Sequence, residues 1–151
     1  RAIGVRFGDL LTAHGPLGPD VCGLDHAPLD ELWEGLGSDR DRITFGDEIQ
    51  NNAKNLQAYY AGKGETVDVE IVTYGPGLHM FMADSPVKDR ISAMSMESDG
   101  AMHFSACANT IAAMERKSGS KPELLSEAKV VPSGVVRLME LQEQGYSYIK
   151  P

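Results

Sequence analysis

The chain has 151 residues and a formal net charge of −8, with apolar residues making up 42% of it. This length is enough for a single domain with a sizeable hydrophobic core. The negative charge argues against nucleic-acid binding, because phosphates require a basic surface. No apolar run is long enough to span a bilayer, so we expect a soluble globular protein. Two cysteines are too few for a disulfide framework.

The first 46 residues differ in composition from the rest of the chain. They contain eight of the sixteen glycines and show weak periodicity. We interpret residues 1–46 as an irregular N-terminal arm with a short helix at 29–36 and a strand at 3–7. The chain starts at Arg1 rather than Met, which indicates either truncation or removal of a leader.

From residue 47 onward, helical and alternating patterns follow one another. Ile49, Ala53, Leu56 and Tyr60 recur at helical spacing, and the glycines at 62 and 64 are expected to end this helix. The later predicted elements, in chain order, are a strand at 67–74, a GPG turn at 75–77, a helix with Ser85 as N-cap and Pro86 in its first turn, a strand at 101–106, a helix at 108–116, a strand at 128–131, a turn at 132–134, a helix from 135 to 145 and a strand at 146–150.

Two of the predicted helices have a defined apolar side. Val87, Ile91 and Met94 are expected to form the inner face of the helix after Pro86. In the last helix the apolar side is expected to consist of Val135, Leu138, Met139 and Leu141.

The alternation of strands and helices predicts an α/β fold, a parallel sheet with helices on both faces. In such sheets, ligands bind beyond the carboxyl ends of the strands. We therefore expect three turns to meet at this edge, at residues 74–77, 107–110 and 132–134.

Cys107 lies where a predicted strand ends and a predicted helix begins. Free amide groups and the positive end of the helix dipole favour a thiolate at such a position. Asn109 and Thr110 are candidates for additional side-chain donors. An activated and accessible thiol suits sulfur exchange or persulfide carriage, whereas hydrolytic acyl transfer also needs a base.

The sequence leaves two questions about Cys107 undecided: whether a histidine could act as its base, and whether the thiol is reactive at all. His103 is four residues back on the same strand, roughly 13 Å away and out of reach, while His79 after the GPG turn could approach the sulfur. The alternative is that Cys107 is a buried small apolar residue, as free cysteines often are. A disulfide between Cys22 and Cys107 is a further possibility in an oxidising compartment.

Three other patterns favour ordinary structural roles. The methionines at 80, 82, 94, 96 and 102, with two histidines, could hold copper(I), but core packing is the preferred interpretation. Cys22 and His26 have the spacing of two zinc ligands, but the sequence offers no second pair to complete a four-ligand site, so they are weak evidence for zinc. The sequence YGPG lacks the spacing and the lysine of a phosphate-binding P-loop, so we interpret it as a turn. No metal site or cofactor is assigned.

Six motifs in order resemble the DsrE/DsrF-like family of sulfur-trafficking proteins. They are NNAKNL (51–56), YGPGL (74–78), ADSPV (83–87), SACANT (105–110), VVPSGV (130–135) and GYSYIKP (145–151). The resemblance covers residues 47–151. It implies a DsrE-like, flavodoxin- or Rossmann-like α/β domain, commonly assembled as a homotrimer or hexamer.

The resemblance also implies a role for individual residues. Cys107 matches the cysteine that accepts a sulfane sulfur as a persulfide and passes it to a partner protein. Matching positions around the pocket are Gly75, Pro76, Gly77, Asn109, Ser133 and Gly134. Two departures are Ala108, where relatives commonly have glycine, and the absence of a clear first strand before residue 51. The arm either supplies that strand or contacts a partner.

Two functions follow as hypotheses. The first is a sulfur carrier or sulfurtransferase-like protein with Cys107 as nucleophile, which exchanges sulfur with donor and acceptor proteins and needs no cofactor. The second is a non-catalytic binding or interaction subunit with an inert Cys107, which docks a redox partner through its N-terminal arm. The sequence leaves the compartment open between bacterial cytoplasm and periplasm.

Overall fold

The computed structural model describes residues 2–7 and 39–149, with side chains from residue 47 onward. The strands are β1 (Ala2–Phe7), β2 (Asp68–Thr73), β3 (Met102–Cys107), β4 (Ala128–Val131) and β5 (Ser147–Ile149). The α-helices are α1 (Asp39–Ala61), α2 (Lys88–Glu97), α3 (Ala108–Ser118) and α4 (Gly134–Glu143), and a 3-10 helix spans Gly75–Phe81. None of the helices in the described ranges is both long and apolar enough to cross a bilayer.

In the described part of the chain, the strands form one parallel sheet with the order β4-β3-β2-β1-β5. Because β1 to β4 follow one another across the sheet, right-handed connections place the intervening helices on a single face. The connection from β4 back to β5 runs in the opposite direction, so α4 lies on the other face. The predicted α/β fold with helices on both faces is confirmed.

Most of the core lies between the sheet and the helices α1, α2 and α3. Ile71 of β2 and Phe104 of β3 point into it, and Ile91 and Met94 of α2 pack against them. The 3-10 helix adds Phe81, whose ring meets Phe104 edge-on at 5.6 Å between centroids. The regular apolar spacing of residues 47–111 therefore reflects a helix layer on one face of the sheet.

β1 lies in the interior of the sheet, paired with β2 on one side and β5 on the other. The strand predicted at residues 3–7 is thus present, and it is the strand missing before residue 51. The predicted boundary between residues 46 and 47 falls inside α1, which starts at Asp39. The helix predicted at residues 29–36 lies outside the described residues, as do Cys22 and His26.

Three expectations about local structure were wrong, and two of them concern the segment between β2 and α2. Ser85 is not the N-cap of α2, which starts at Lys88 with Val87 as its N-cap. Instead, Ser85 lies in the preceding turn, where its hydroxyl accepts a hydrogen bond from the Val87 amide at 3.4 Å and its carbonyl accepts one from the Lys88 amide at 3.2 Å. The segment GPG is also more than a turn, because it starts the 3-10 helix.

The third error concerns α4. Leu138 and Leu141 face the sheet as expected, but Val135 and Met139 are 46% and 57% exposed. At 3.6 residues per turn the apolar positions of the helix form one wide arc, with Leu138 and Leu141 toward one end of it and Val135 and Met139 beside them. The arc is wider than the contact with the sheet, so only the part with Leu138 and Leu141 is buried.

Candidate functional site

Three turns meet at the carboxyl edge of the sheet, as the sequence predicted. Tyr74 follows β2, Cys107 ends β3 and Gly134 begins α4 directly after β4. A Cβ atom built on Gly134 would lie 2.8 Å from Cδ1 of Tyr74, so the start of α4 is in close contact with the tyrosine ring. Tyr74 and Cys107 belong to the same buried cluster. The Tyr74 ring therefore joins the ends of all three strands.

Gly75 and Thr110 fix the turn after β2 against the first turn of α3. The amide of Gly75 donates a hydrogen bond to Oγ1 of Thr110 at 2.9 Å. Gly75 has a φ of 54°, in the left-handed region that glycine adopts without steric cost. Thr110 thus anchors the turn through its oxygen, which is a different role from the predicted donor to the sulfur.

Cys107 has a free thiol and is only 4% exposed. It packs in a cluster with Val72 of β2 and with Tyr74, the residue that follows β2. Leu138 and Leu141 of α4 complete the cluster. Cys22, its possible disulfide partner, lies outside the described residues. The expectation of a solvent-accessible sulfur was wrong for this structure, because α4 covers the end of β3.

The contact between Cys107 and the amides of α3 also differs from the expectation. Cys107 is the N-cap of α3 by its backbone, with φ −72° and ψ 118°, but its side chain makes no capping hydrogen bond. The sulfur points instead into the apolar cluster under α4. Asn109, predicted as a donor to the sulfur, is exposed at the surface.

The remaining predicted site residues lie around this edge at different depths. Gly77 is buried within the 3-10 helix, where Pro76 and His79 are half-buried. Ser133 is the half-buried N-cap of α4. The approach of His79 to the sulfur stays a prediction, whereas His103 is exposed on β3 as the neighbour of Glu70.

A buried ion pair lies on the same face of the sheet as Cys107, and sequence reasoning missed it. The Glu70 carboxylate of β2 is 3% exposed and receives two hydrogen bonds from Arg137 of α4, from Nε and Nη2, both at 2.7 Å. The Ser105 hydroxyl of β3 donates a third at 2.6 Å. The available signal was Glu70, the second of two acids in the strand VDVEIVT and the one that lies between Val69 and Ile71, because a charge in a covered strand requires a partner.

The electrostatics of this pair favour its charged form. Burial disfavours the Glu70 carboxylate, but the hydrogen bonds from Arg137 and Ser105 outweigh it and hold the pKa of Glu70 below its ordinary value. The hydrogen bond to Glu70 raises the pKa of Arg137. Both groups are therefore ionised at neutral pH, and the two-pronged geometry fixes α4 to β2.

The possible metal ligands named from the sequence lie at different depths in the described structure. Among the described residues, no group of three or more His, Cys, Asp or Glu side chains could hold a metal ion. Of the methionines considered for copper(I), Met80, Met94 and Met102 are buried in the main core, whereas Met96 is 79% exposed. The three buried methionines therefore pack in the core, as the preferred interpretation expected.

Comparison with known proteins supports the fold. No protein-family model matches this sequence, and no curated protein matches it significantly. A similar solved structure is MTH1491 of Methanobacterium thermoautotrophicum, a protein of unknown function. It is 23% identical, with a TM-score of 0.61, and the match covers 99% of this chain and 96% of MTH1491. At this level of identity the chain shares its α/β fold with MTH1491, and the likeness extends no further than the fold.

Proposed function

We propose that the protein is a sulfur carrier that holds a persulfide on Cys107 and passes it to a partner protein. The observation that carries the proposal is the position of a free thiol at the last residue of β3, where the turns after β2 and before α4 meet. Ligands of parallel α/β proteins bind at this edge. The resemblance of SACANT and the neighbouring motifs to sulfur-trafficking proteins adds the sulfur chemistry.

The reaction is an exchange between two thiols, without net oxidation. The Cys107 thiolate attacks the outer sulfur of a donor persulfide, the S–S bond of the donor breaks, and the donor leaves as a thiol. Cys107 then carries the outer sulfur as a persulfide. Attack by an acceptor thiolate reverses these events, so that Cys107 returns to the thiol and the acceptor holds the sulfur.

The burial of Cys107 restricts how such exchange can take place. The described side chains of its cluster are aliphatic or aromatic, and the wall toward α4 consists of Leu138 and Leu141. A donor of protein size requires a displacement of α4, because Cys107 is 4% exposed in the closed arrangement. The same closure would protect a stored persulfide from reductants in solution.

A second candidate is a non-catalytic binding or interaction subunit in which Cys107 is inert. The burial of the thiol and the absence of a capping hydrogen bond from its side chain favour this candidate. Free cysteines in apolar surroundings are commonly unreactive. Docking through the N-terminal arm, residues 1–46, stays a prediction, because residues 8–38 of the arm lie outside the described ranges.

Mass spectrometry separates the two candidates. The folded protein is incubated with polysulfide and digested, and the mass of the peptide that contains Cys107 is measured. Sulfur carriage requires an adduct of about 32 Da, the mass of one sulfur atom, that dithiothreitol removes and that Cys107→Ser lacks. The variant Cys22→Ser is the matched control, and it should load as the wild type does. An unmodified Cys107 in the folded protein would support the inert subunit.

Self-association is part of the proposal. The side of α4 that points away from the sheet exposes Val135, Val136 and Met139. Exposed apolar side chains grouped on one side of a helix are common in protein interfaces. We expect a trimer or hexamer in solution, and light scattering would measure the mass. A monomer at all concentrations would contradict this expectation.

A further inference from the structure

The helix α4 covers Cys107 and lacks a second helical layer in the described part of the chain. Leu138 and Leu141 on its inner side pack with Val72 and Cys107. Its outer side exposes Val135 and Met139. The residues that hold this helix to the sheet therefore control whether the thiol is closed or open to solvent.

One of these attachments is polar. Arg137 precedes Leu138, so the ion pair with Glu70 acts on the same turn of α4 that covers the sulfur. Glu70 is held in β2 and by Ser105, independently of α4. The side chain of Arg137 is 27% exposed and also lies 3.5 Å from Glu140. Arg137 can therefore reach water when α4 moves, whereas Glu70 stays in the sheet.

We propose that the Glu70–Arg137 ion pair is a latch that holds α4 closed over Cys107, so that release of the latch opens the thiol. This inference rests on the proposed function, because access to Cys107 matters only when the thiol exchanges sulfur. The geometry suits a latch because a two-pronged ion pair forms in one orientation, whereas the leucine contacts tolerate small shifts. Arg137 is thus a positioning residue for Cys107.

The latch predicts which substitutions expose the thiol. Alkylation of Cys107 by iodoacetamide is followed by peptide mass spectrometry in the folded protein. Arg137→Met removes the guanidinium, and alkylation is expected to become faster by on the order of tenfold to a hundredfold. Glu70→Gln is the second variant, since it removes the charge from the sheet side and leaves Arg137 free to contact water.

Two variants control for general loss of stability. Ser105→Ala removes a hydrogen bond to the same carboxylate and leaves the ion pair and the residues of α4 unchanged, and Glu140→Gln removes the charge of the exposed partner of Arg137. Both should alkylate at nearly the wild-type rate. Repeating the measurement in low concentrations of urea separates local from global opening, because only global unfolding accelerates steeply with denaturant.

Two results would overturn the latch. One is an alkylation rate of Cys107 in Glu70→Gln and Arg137→Met equal to that of the wild type. The other is an alkylation rate of Cys107 that, across all variants, depends only on the free energy of unfolding of each variant. If Arg137→Met does not fold, as circular dichroism would show, Glu70→Gln decides the question by the same criteria.

The failure of the latch and the failure of the proposed function are distinguishable. Fast alkylation of Cys107 in Arg137→Met without persulfide formation would retain the latch and remove sulfur carriage. Persulfide formation on wild-type Cys107 with unchanged alkylation of Arg137→Met would retain the carrier and remove the latch.

Discussion

Replacement of Gly134 by alanine tests the convergence of the three turns. The added Cβ would lie 2.8 Å from Cδ1, 3.1 Å from Cβ and 3.3 Å from Cγ of Tyr74. The ring is 9% exposed and belongs to the cluster of Cys107, so it has little room to move. Overpacking of this kind costs about 1–3 kcal/mol. Alanine regains at most about 1 kcal/mol in helix propensity, and less at the first position of α4.

We therefore expect Gly134→Ala to lower the free energy of unfolding by about 1–2 kcal/mol, measured by urea denaturation. Gly62→Ala is the matched control, because its nearest heavy atoms are the carbonyl oxygens of Ala58 and Tyr59 at 3.5 Å. It should change stability by less than about 0.5 kcal/mol. A Gly134→Ala protein as stable as the wild type, with an unchanged control, would refute the close contact between α4 and Tyr74.

Two further predictions concern α4 and its ion pair. Since the pKa of Glu70 is lowered in the folded state, its contribution is complete above the unfolded pKa, near 4.5, and is lost as the pH falls through the folded pKa. The stability difference between wild type and Glu70→Gln in urea should therefore shrink between pH 7 and pH 3, and a constant difference would contradict the ionised pair. Leu141→Ala should cost about 2–5 kcal/mol in thermal or urea unfolding. Met139→Ala, on the exposed side, should cost less than about 0.5 kcal/mol at protein concentrations where light scattering shows a monomer, and equal losses there would contradict the orientation of α4.

The elements that depend on local pattern could be predicted from the sequence. The strand at 128–131 was placed with its observed bounds, β3 was displaced by one residue, and the start of α3 was placed at its observed residue. Alternation and helical spacing act within a few residues and are visible without the fold. The meeting of three turns at one edge followed from the parallel arrangement, in which all carboxyl ends lie together.

Orientation across long distances could not be predicted. The sequence VVRLMELQ has apolar residues over a wide arc of α4, and nothing local shows which part of the arc faces the sheet, namely Leu138 and Leu141 rather than Val135 and Met139. The partner of Glu70 is 67 residues away in the chain. The helix that buries Cys107 returns from β4 to the far edge of the sheet, so the exposure of the thiol depends on this crossover rather than on the residues next to it.

The most direct test of the central claim is to measure how much persulfide Cys107 carries after loading and how fast it loses it. The protein is loaded with polysulfide, separated from it and mixed with an excess of a small thiol, and the persulfide on the peptide containing Cys107 is quantified by mass spectrometry. We expect wild-type Cys107 to carry sulfur and to lose it more slowly than Arg137→Met, in which α4 is released. Absence of sulfur from Cys107 in both proteins would contradict the proposal that this buried thiol is a sulfur carrier.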